Sequence, residues 1–364
     1  MELKRRDIIR LSVGAAATFA AATFWPITRA AGSDNSRIKK NSFPKPNRID
    51  VHHHLIPDRY RKALASLNIK TAGGVPLPAW DPDQSQNLMD TVGIGTAMLS
   101  ISSPGVHFGD DAAARDIARQ SNEYCTEVIS DNPSRFGAFA VLPLPDVNGS
   151  LKEAEYALDT LKLDGVVMLA SQSDGTFLGD KKYDELLAEL DKRKTVVFIH
   201  PTIHPTSKDL PLNIPESIIE FPFDTSRAAF NLVWTGAAER YPNIRYILSH
   251  AGGTVPFLAW RFSLLDYYPG VFERAPAGAM AYLKRFYYDL ALSANPHALR
   301  SLQELVGPEQ VLYGSDNPFA PAQLVAYGIN FIEKYDGYSD EDRKLIYRSN
   351  ALKLFPRLQQ FVKS

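Results

Sequence analysis

Eight short apolar runs, each followed by a longer amphipathic stretch, constrain this chain more than any other feature. The runs cover 49–55, 95–101, 136–144, 165–170, 196–200, 244–250, 287–293 and 311–314. Between them lie stretches such as "SLKEAEYALDTLKL", "KKYDELLAELDKRK", "SRAAFNLVWTGAAERYP" and "PHALRSLQELVG", whose apolar residues recur every three or four positions, as on one face of a helix. Strand followed by helix, repeated in this way, is the pattern of a parallel sheet with helices outside it. No glycine-rich fingerprint follows the first strand, so the pattern predicts a closed (β/α)8 TIM barrel rather than an open doubly wound sheet. One large domain over residues 48–364 accommodates it. The chain's 364 residues, 45% of them hydrophobic, suffice for that core.

Residues 1–31 stand apart. Arg5 and Arg6 are adjacent, an Ala-rich apolar stretch follows over 11–25, and small residues close it at Ala30 and Ala31. This is the composition of a twin-arginine export signal, which predicts a periplasmic or secreted mature protein. The apolar part is shorter than the ~20 residues that span a bilayer, so no stable membrane anchor is expected. Residues 32–47, "GSDNSRIKKNSFPKPN", read as a polar N-terminal arm. The single cysteine, Cys125, rules out an intrachain disulfide or a cysteine-based zinc cluster, and its helical setting predicts buried packing. A net charge of −1 without a basic block gives no footprint for nucleic acid. Small molecules are the expected partners.

The first strand carries the chemistry: "RIDVHHHLIP" holds three of the eight histidines in consecutive positions. Alternate side chains share a face of a strand, so His52 and His54 point together and His53 points outward under the helices. Other strand candidates close on the same residue types, at His200 in "TVVFIHP", His250 in "IRYILSHAGG" and Asp316 in "QVLYGSDNPF". In a (β/α)8 barrel the C-terminal strand ends converge on one mouth, which is where active sites form. Imidazoles and a carboxylate gathered there suit a divalent metal. Zn is the first choice for that donor set, with Mn, Fe or Co also compatible.

Taken in order, "IDVHHHLIP", "FIHP", "LSHAGG", "GSDNPF" and the closing "IYRSNALKLF" resemble the amidohydrolase superfamily. They look most like its branch of aminocarboxymuconate-semialdehyde decarboxylase and related non-oxidative decarboxylases of aromatic acids. The resemblance implies that His52, His54, His200 and Asp316 hold the metal and that His250 is the catalytic imidazole; the carbanion-like carbon left by decarboxylation needs a proton, and Asp316 is the candidate to carry it. Binuclear relatives place a carboxylated lysine at the end of the fourth strand; "GVVMLASQSD" has none, which implies one metal. Several aromatic-acid decarboxylases have an acidic first ligand where this chain has His52, so the match is to the H-x-H subgroup.

Arg261 and Arg274 follow His250 where such relatives place arginines, one of which reaches a neighbouring subunit; a homodimer is implied, and arginine is the natural clamp for a carboxylate. Relatives that bind a second acidic group have an arginine in the insert after the first strand. Here "GGVPLPAW" stands instead, which implies a less polar substrate and makes Trp80 a pocket-wall candidate. His107, after the second strand, is a candidate substrate contact, while His204, His297 and Asp289 read as structural or solvated. The expected activity is that of a carboxy-lyase on a small aromatic or unsaturated carboxylic acid, such as a salicylate-type acid like 6-methylsalicylate. The rival is a mononuclear metallohydrolase of a lactone, amide or ester, since the same mouth can activate water. A binding protein without turnover is the third reading.

Overall fold

The first strand, β1 (Arg48–His54), is buried at every position, as a parallel strand covered on both faces must be. This computed structural model describes residues 48–361 apart from 208, 209 and 211; the export signal and polar arm expected over 1–47 lie outside the described residues. Seven further parallel strands follow: β2 (Ile94–Ser100), β3 (Phe136–Val141), β4 (Gly165–Leu169), β5 (Val196–His200), β6 (Arg245–Leu248), β7 (Tyr287–Asp289) and β8 (Val311–Leu312). They pair in sequential order in one eight-stranded sheet. The last returns to the first: Val51 N–H donates to the Tyr313 carbonyl (3.0 Å), and His54 N–H to that of Asn317 (2.7 Å). The (β/α)8 expectation holds, strand for strand.

Five strands (β3, β4, β6, β7 and β8) are shorter than their apolar runs, and for the last three a reason is visible at the end of each. After β6 the chain enters the left-handed region at His250 (φ 55°) and Ala251 (φ 56°), which ends the ladder at Leu248 and carries His250 past the strand. After β8 the same happens at Asp316 (φ 63°). Strand β7 stops at Asp289 because its carboxylate accepts the N–H groups of His250 (3.1 Å) and Ala291 (2.9 Å). Non-glycine residues held at positive φ are uncommon and concentrate at functional sites.

The outer layer consists of the main helices α1 (Asp58–Ser66), α2 (Pro82–Val92), α3 (Asp111–Asp131), α4 (Val147–Glu155), α5 (Asp184–Lys192), α6 (Glu220–Trp234), α7 (Val255–Ser263), α8 (Pro296–Leu305), α9 (Ala322–Lys334) and α10 (Asn350–Leu354). Four start on acidic or amide caps: the side chains of Asp81, Asp110, Asp146 and Asn295 accept first-turn N–H groups of α2, α3, α4 and α8. Cys125 is buried on α3, and burial pushes its thiol up to about 12. The insert after α1 is partly a two-stranded ribbon, Thr71–Ala72 with Val75–Pro76. It turns at Gly73 (φ 54°), where a Cβ would lie 2.4 Å from Phe221 Cζ, so only glycine fits. Among the described residues no helix is long and apolar enough to cross a membrane.

Candidate metal centre and cavity

Four buried side chains meet at the C-terminal mouth: ligand atoms of His52, His54, His200 and Asp316 lie within 4.8 Å of one another. Each imidazole has its orientation fixed by a partner that can only accept at Nδ1. His52 Nδ1–H donates to Asp289 Oδ2 (2.9 Å), His54 Nδ1–H to the Ser100 carbonyl (3.2 Å), and His200 Nδ1–H to the Pro201 carbonyl (2.8 Å). Ser100 Oγ adds a contact to His54 Nδ1 at 3.0 Å. All three Nε2 atoms therefore face inward as bare lone pairs.

The consequence is a knot of acceptors. His52 Nε2 and His54 Nε2 stand 3.1 Å apart, and Asp316 Oδ1 lies 3.3 Å and 3.1 Å from them. Asp316 Oδ1 is buried without a hydrogen-bond donor. Such a cluster is stable only around positive charge. Ligands about 2.0–2.2 Å from a tetrahedral ion stand about 3.3–3.6 Å from each other, close to the shorter separations here. The donor set and spacing fit one divalent metal ion.

Electrostatics point the same way. Burial opposes charge on His52, yet Asp289 and Asp316 push its pKa up to about 10. Burial lowers His54, and burial with the imidazoles of His54, His52 and His250 holds His200 well below its ordinary value. Burial alone would raise Asp316, but His250, His52 and His54 hold it well below the usual carboxylate range. His250 stands beside the ligands: its Nε2 is 3.7 Å from Asp316 Oδ2, and its Nδ1 is buried without a partner. His53 faces outward, as its place in the strand requires, donating to Asp50 Oδ2 (2.9 Å) and contacting Ser85 Oγ of α2 (3.1 Å).

Beside the ligands a cavity of about 350 Å³ opens among the loops that follow β2 to β5. Ile101 and Thr202, which line it, lie one and two residues beyond the strand ends Ser100 and His200. Aliphatic walls come from Ile101, Leu142, Leu169 and Ile203; among the described residues that line it there is no lysine or arginine. His107 sits on its rim, bonded to Ser173 Oγ and Asp111 Oδ1 (2.9 Å each).

The other candidates lie elsewhere. Trp80 does not line the cavity but packs against Tyr124 of α3 (6.2 Å between rings), because the insert re-enters the helical layer before α2. Arg261 is exposed on α7, and Arg274 lies over the Trp234 ring (4.4 Å). His204 stacks on Phe177 (5.1 Å) and His297 is exposed at the start of α8.

Asp289 does more than its structural reading implied, since one carboxylate holds both the ring of His52 and the backbone of His250. Its position at the end of a strand, like that of the ligands, was the available signal. Ser100 and Phe221 (6.0 Å from the His200 ring) carry no motif and were not foreseen; Phe319 (5.6 Å from the His54 ring) closes the "GSDNPF" motif but was given no role.

The amidohydrolase family profile matches residues 49–357. The chain belongs to the amidohydrolase family. This amidohydrolase is 38% identical over 333 residues to decarboxylase yanB of Aspergillus niger, covering 86% of this chain and 88% of that protein. It is 36% identical over 322 residues to the 6-methylsalicylic acid decarboxylase of Penicillium expansum, covering 86% and 97%. A crystal structure of 5-carboxyvanillate decarboxylase from Novosphingobium aromaticivorans, complexed with manganese and a nitrobenzoic acid, superposes with a TM-score of 0.75 at 20% identity, covering 89% of this chain and 97% of that one.

Proposed function

We propose that this amidohydrolase removes CO2 from a salicylate-type acid bearing an apolar substituent, 6-methylsalicylate being the simplest candidate. The chain is a metal-dependent decarboxylase of aromatic acids, a carboxy-lyase. The observation that carries the finer reading is the pairing of a three-imidazole, one-carboxylate centre with a nearby cavity lined by aliphatic side chains together with uncharged polar groups, His107 and one carboxylate, Glu216. A cavity without lysine or arginine among its described residues favours an alkyl group over a second carboxylate.

When bound, the metal supplies a Lewis acid that orients the carboxylate and the neighbouring hydroxyl oxygen and draws off negative charge. The chain's own residues handle the proton. Asp316 takes the acidic proton that the substrate brings and returns it to the ring carbon as the bond to CO2 breaks. The electron pair of that bond stays on the ring and ends in the new C–H bond. His250, 3.7 Å from Asp316, holds the phenolic oxygen on the exposed side. We assign zinc as the resident ion, on the borderline-soft imidazole-rich donor set. Elemental analysis of the purified protein is expected to find about one zinc per chain, and manganese in its place would overturn that assignment.

We further propose a homodimer formed through α7 and the segment after it. Phe257 and Tyr267 there are 80% and 88% exposed, with Trp260 and Phe272 beside them in sequence, more apolar surface than a monomer ordinarily leaves in water. Arg261 lies on that helix, placed to serve a neighbouring copy. Phe257→Asp with Trp260→Asp is expected to give monomers by light scattering; monomeric wild-type protein would refute the dimer. On the leader's composition we also propose export, checked by fractionation of cells. The activity itself is tested by CO2 release across a panel of hydroxybenzoates. Acid release from neutral esters or lactones without CO2 would overturn it.

A further inference from the structure

The cavity beside the metal centre is closed on one side by the ribbon that follows α1: Thr71, Gly73 and Gly74 line it together with Glu216, which opens the short turn Glu216–Ile218. Glu216 is the only carboxylate among the described residues that line this cavity, and neither lysine nor arginine stands beside it there. The one imidazole in the wall, His107, already has both ring nitrogens engaged, by Ser173 Oγ and Asp111 Oδ1. Glu216 is half-buried, and its carboxylate has no hydrogen-bond or ion-pair partner among the described residues. A carboxylate so placed only accepts: it favours a ligand that brings a hydrogen-bond donor and opposes one that brings a second negative charge.

Two glycines set the distance between this carboxylate and the ribbon. Ser217 N–H donates to the Gly73 carbonyl (3.0 Å), which docks the ribbon on the turn. Gly74 sits at φ 77°, where a Cβ would stand 2.5 Å from Glu216 Oε2 and 2.9 Å from Pro215 Cα, so the ribbon meets the carboxylate only because this position has no side chain. Gly73 lies in turn against Phe221, whose ring is 6.0 Å from that of His200. Glu216 is thus linked to the metal centre through the ribbon and Phe221, yet it is not among the ligand atoms gathered there. A ring whose carboxylate turns toward the centre presents another edge to Glu216.

We propose that Glu216 determines specificity: it selects a ring that carries a second phenolic hydroxyl remote from the carboxylate, and it rejects a second carboxylate at that position. The hydroxyl donates to the Glu216 carboxylate and keeps its proton, a charge-assisted hydrogen bond of the stronger kind. This deepens the reading of the metal centre as one that decarboxylates salicylate-type acids, and rests on it. The favoured acid is 6-methylsalicylate with one more hydroxyl across the ring, as in orsellinate.

The test compares CO2 release by the metal-loaded full chain from three acids: 6-methylsalicylate, orsellinate, and the analogue with a carboxylate in place of orsellinate's remote hydroxyl. Wild type is expected to favour orsellinate about tenfold in kcat/KM and to leave the dicarboxylate unreacted. Glu216→Leu is expected to lose the preference. Glu216→Gln, which accepts a hydrogen bond but carries no charge, is expected to keep part of it and to turn over the dicarboxylate. Partial unfolding lowers all three acids alike, so the ratios report the contact itself. Calorimetric binding of orcinol against m-cresol, the phenols left by loss of CO2 from the two monocarboxylates, reads the same contact without turnover; orcinol is expected to bind about tenfold tighter to wild type and no tighter to Glu216→Leu. Equal kcat/KM for the two monocarboxylates in wild type, or the same ratio in Glu216→Leu, overturns the proposal. No CO2 from any acid, with orcinol still preferred by wild type alone, supports the role of Glu216 while counting against salicylate-type acids as substrates. No preference for orcinol in wild type overturns it.

Discussion

Replacing Asp289 by Asn tests whether proton placement on His52 governs the centre. One carboxylate oxygen, Oδ1, accepts two backbone N–H groups, from His250 (3.1 Å) and Ala291 (2.9 Å), and the other, Oδ2, accepts from His52 Nδ1 (2.9 Å). In the amide the oxygen must stay with the two N–H groups, since an NH2 there would face donors. The NH2 then meets His52 Nδ1, which becomes an acceptor and sends its proton to Nε2, the atom turned toward the metal. Loss of such an outer partner costs 10–100-fold in metal affinity, about 1.4–2.7 kcal/mol. Ser100→Ala provides the contrast: its Oγ contact to His54 duplicates one to its own backbone carbonyl, so the tautomer survives and affinity is expected to fall less than about threefold. Competition against a calibrated chelator measures both. If Asp289→Asn binds metal as tightly as Ser100→Ala, the tautomer argument is wrong.

Gly314→Ala places a Cβ 2.8 Å from His52 Cβ and 3.0 Å from Asp289 Oδ1, so kcat/KM is expected to drop at least tenfold with a lowered Tm; unchanged kinetics would show that the strand yields freely. Asp224, fully buried on α6 and accepting from Thr202 N–H (2.9 Å), has its pKa raised by burial to about 6. The folded state thus binds the proton more tightly than the unfolded one, a stabilisation present below about pH 4 and lost as pH rises through 6. Relative to wild type, Asp224→Asn should gain stability across that window, by on the order of 3 kcal/mol, and hold the difference constant above pH 7; a difference flat throughout refutes the shift. Removing the metal should lower Tm by on the order of 8 °C when the ion is held at a thousandfold excess over its Kd, read by scanning calorimetry of apo and loaded protein.

Much of the barrel was legible because buried parallel strands and amphipathic helices leave different periods in the sequence, and every apolar run became a strand. Ladder lengths were less legible. Apolar character continues through Ala251 and Leu290, while the backbone has already left the sheet under the control of a left-handed turn and of the Asp289 side chain. The gathering of His52, His54, His200 and Asp316 was legible for a topological reason: strand ends in a barrel share one mouth, so residues remote in sequence but alike in position meet. Partners such as Ser100 and Phe221 depend on side-chain contacts between elements, for which a linear pattern holds no signal. Trp80 shows the converse: an aromatic in an insert looked available for the mouth, but the chain's return to the helical layer carried it to Tyr124.

The position of the ligands also bears on how the barrel closes. Strand β8 contributes only two ladder residues, so the seam between the chain's two ends relies on what lies beyond it. Asp50 of β1 accepts Ser315 N–H (2.9 Å) and its hydroxyl (2.5 Å), and Asp316 N–H donates to the His52 carbonyl (2.8 Å). These bonds put Asp316 opposite the two imidazoles of β1. A cation held jointly by His52, His54 and Asp316 would span the same seam, and its attraction would oppose the opening that the short ladder resists poorly. On the proposed ligand set, closure of the sheet and assembly of the centre would be one event: the turn that lifts Asp316 out of the ladder weakens the seam and places the carboxylate through which a bound ion would reinforce it.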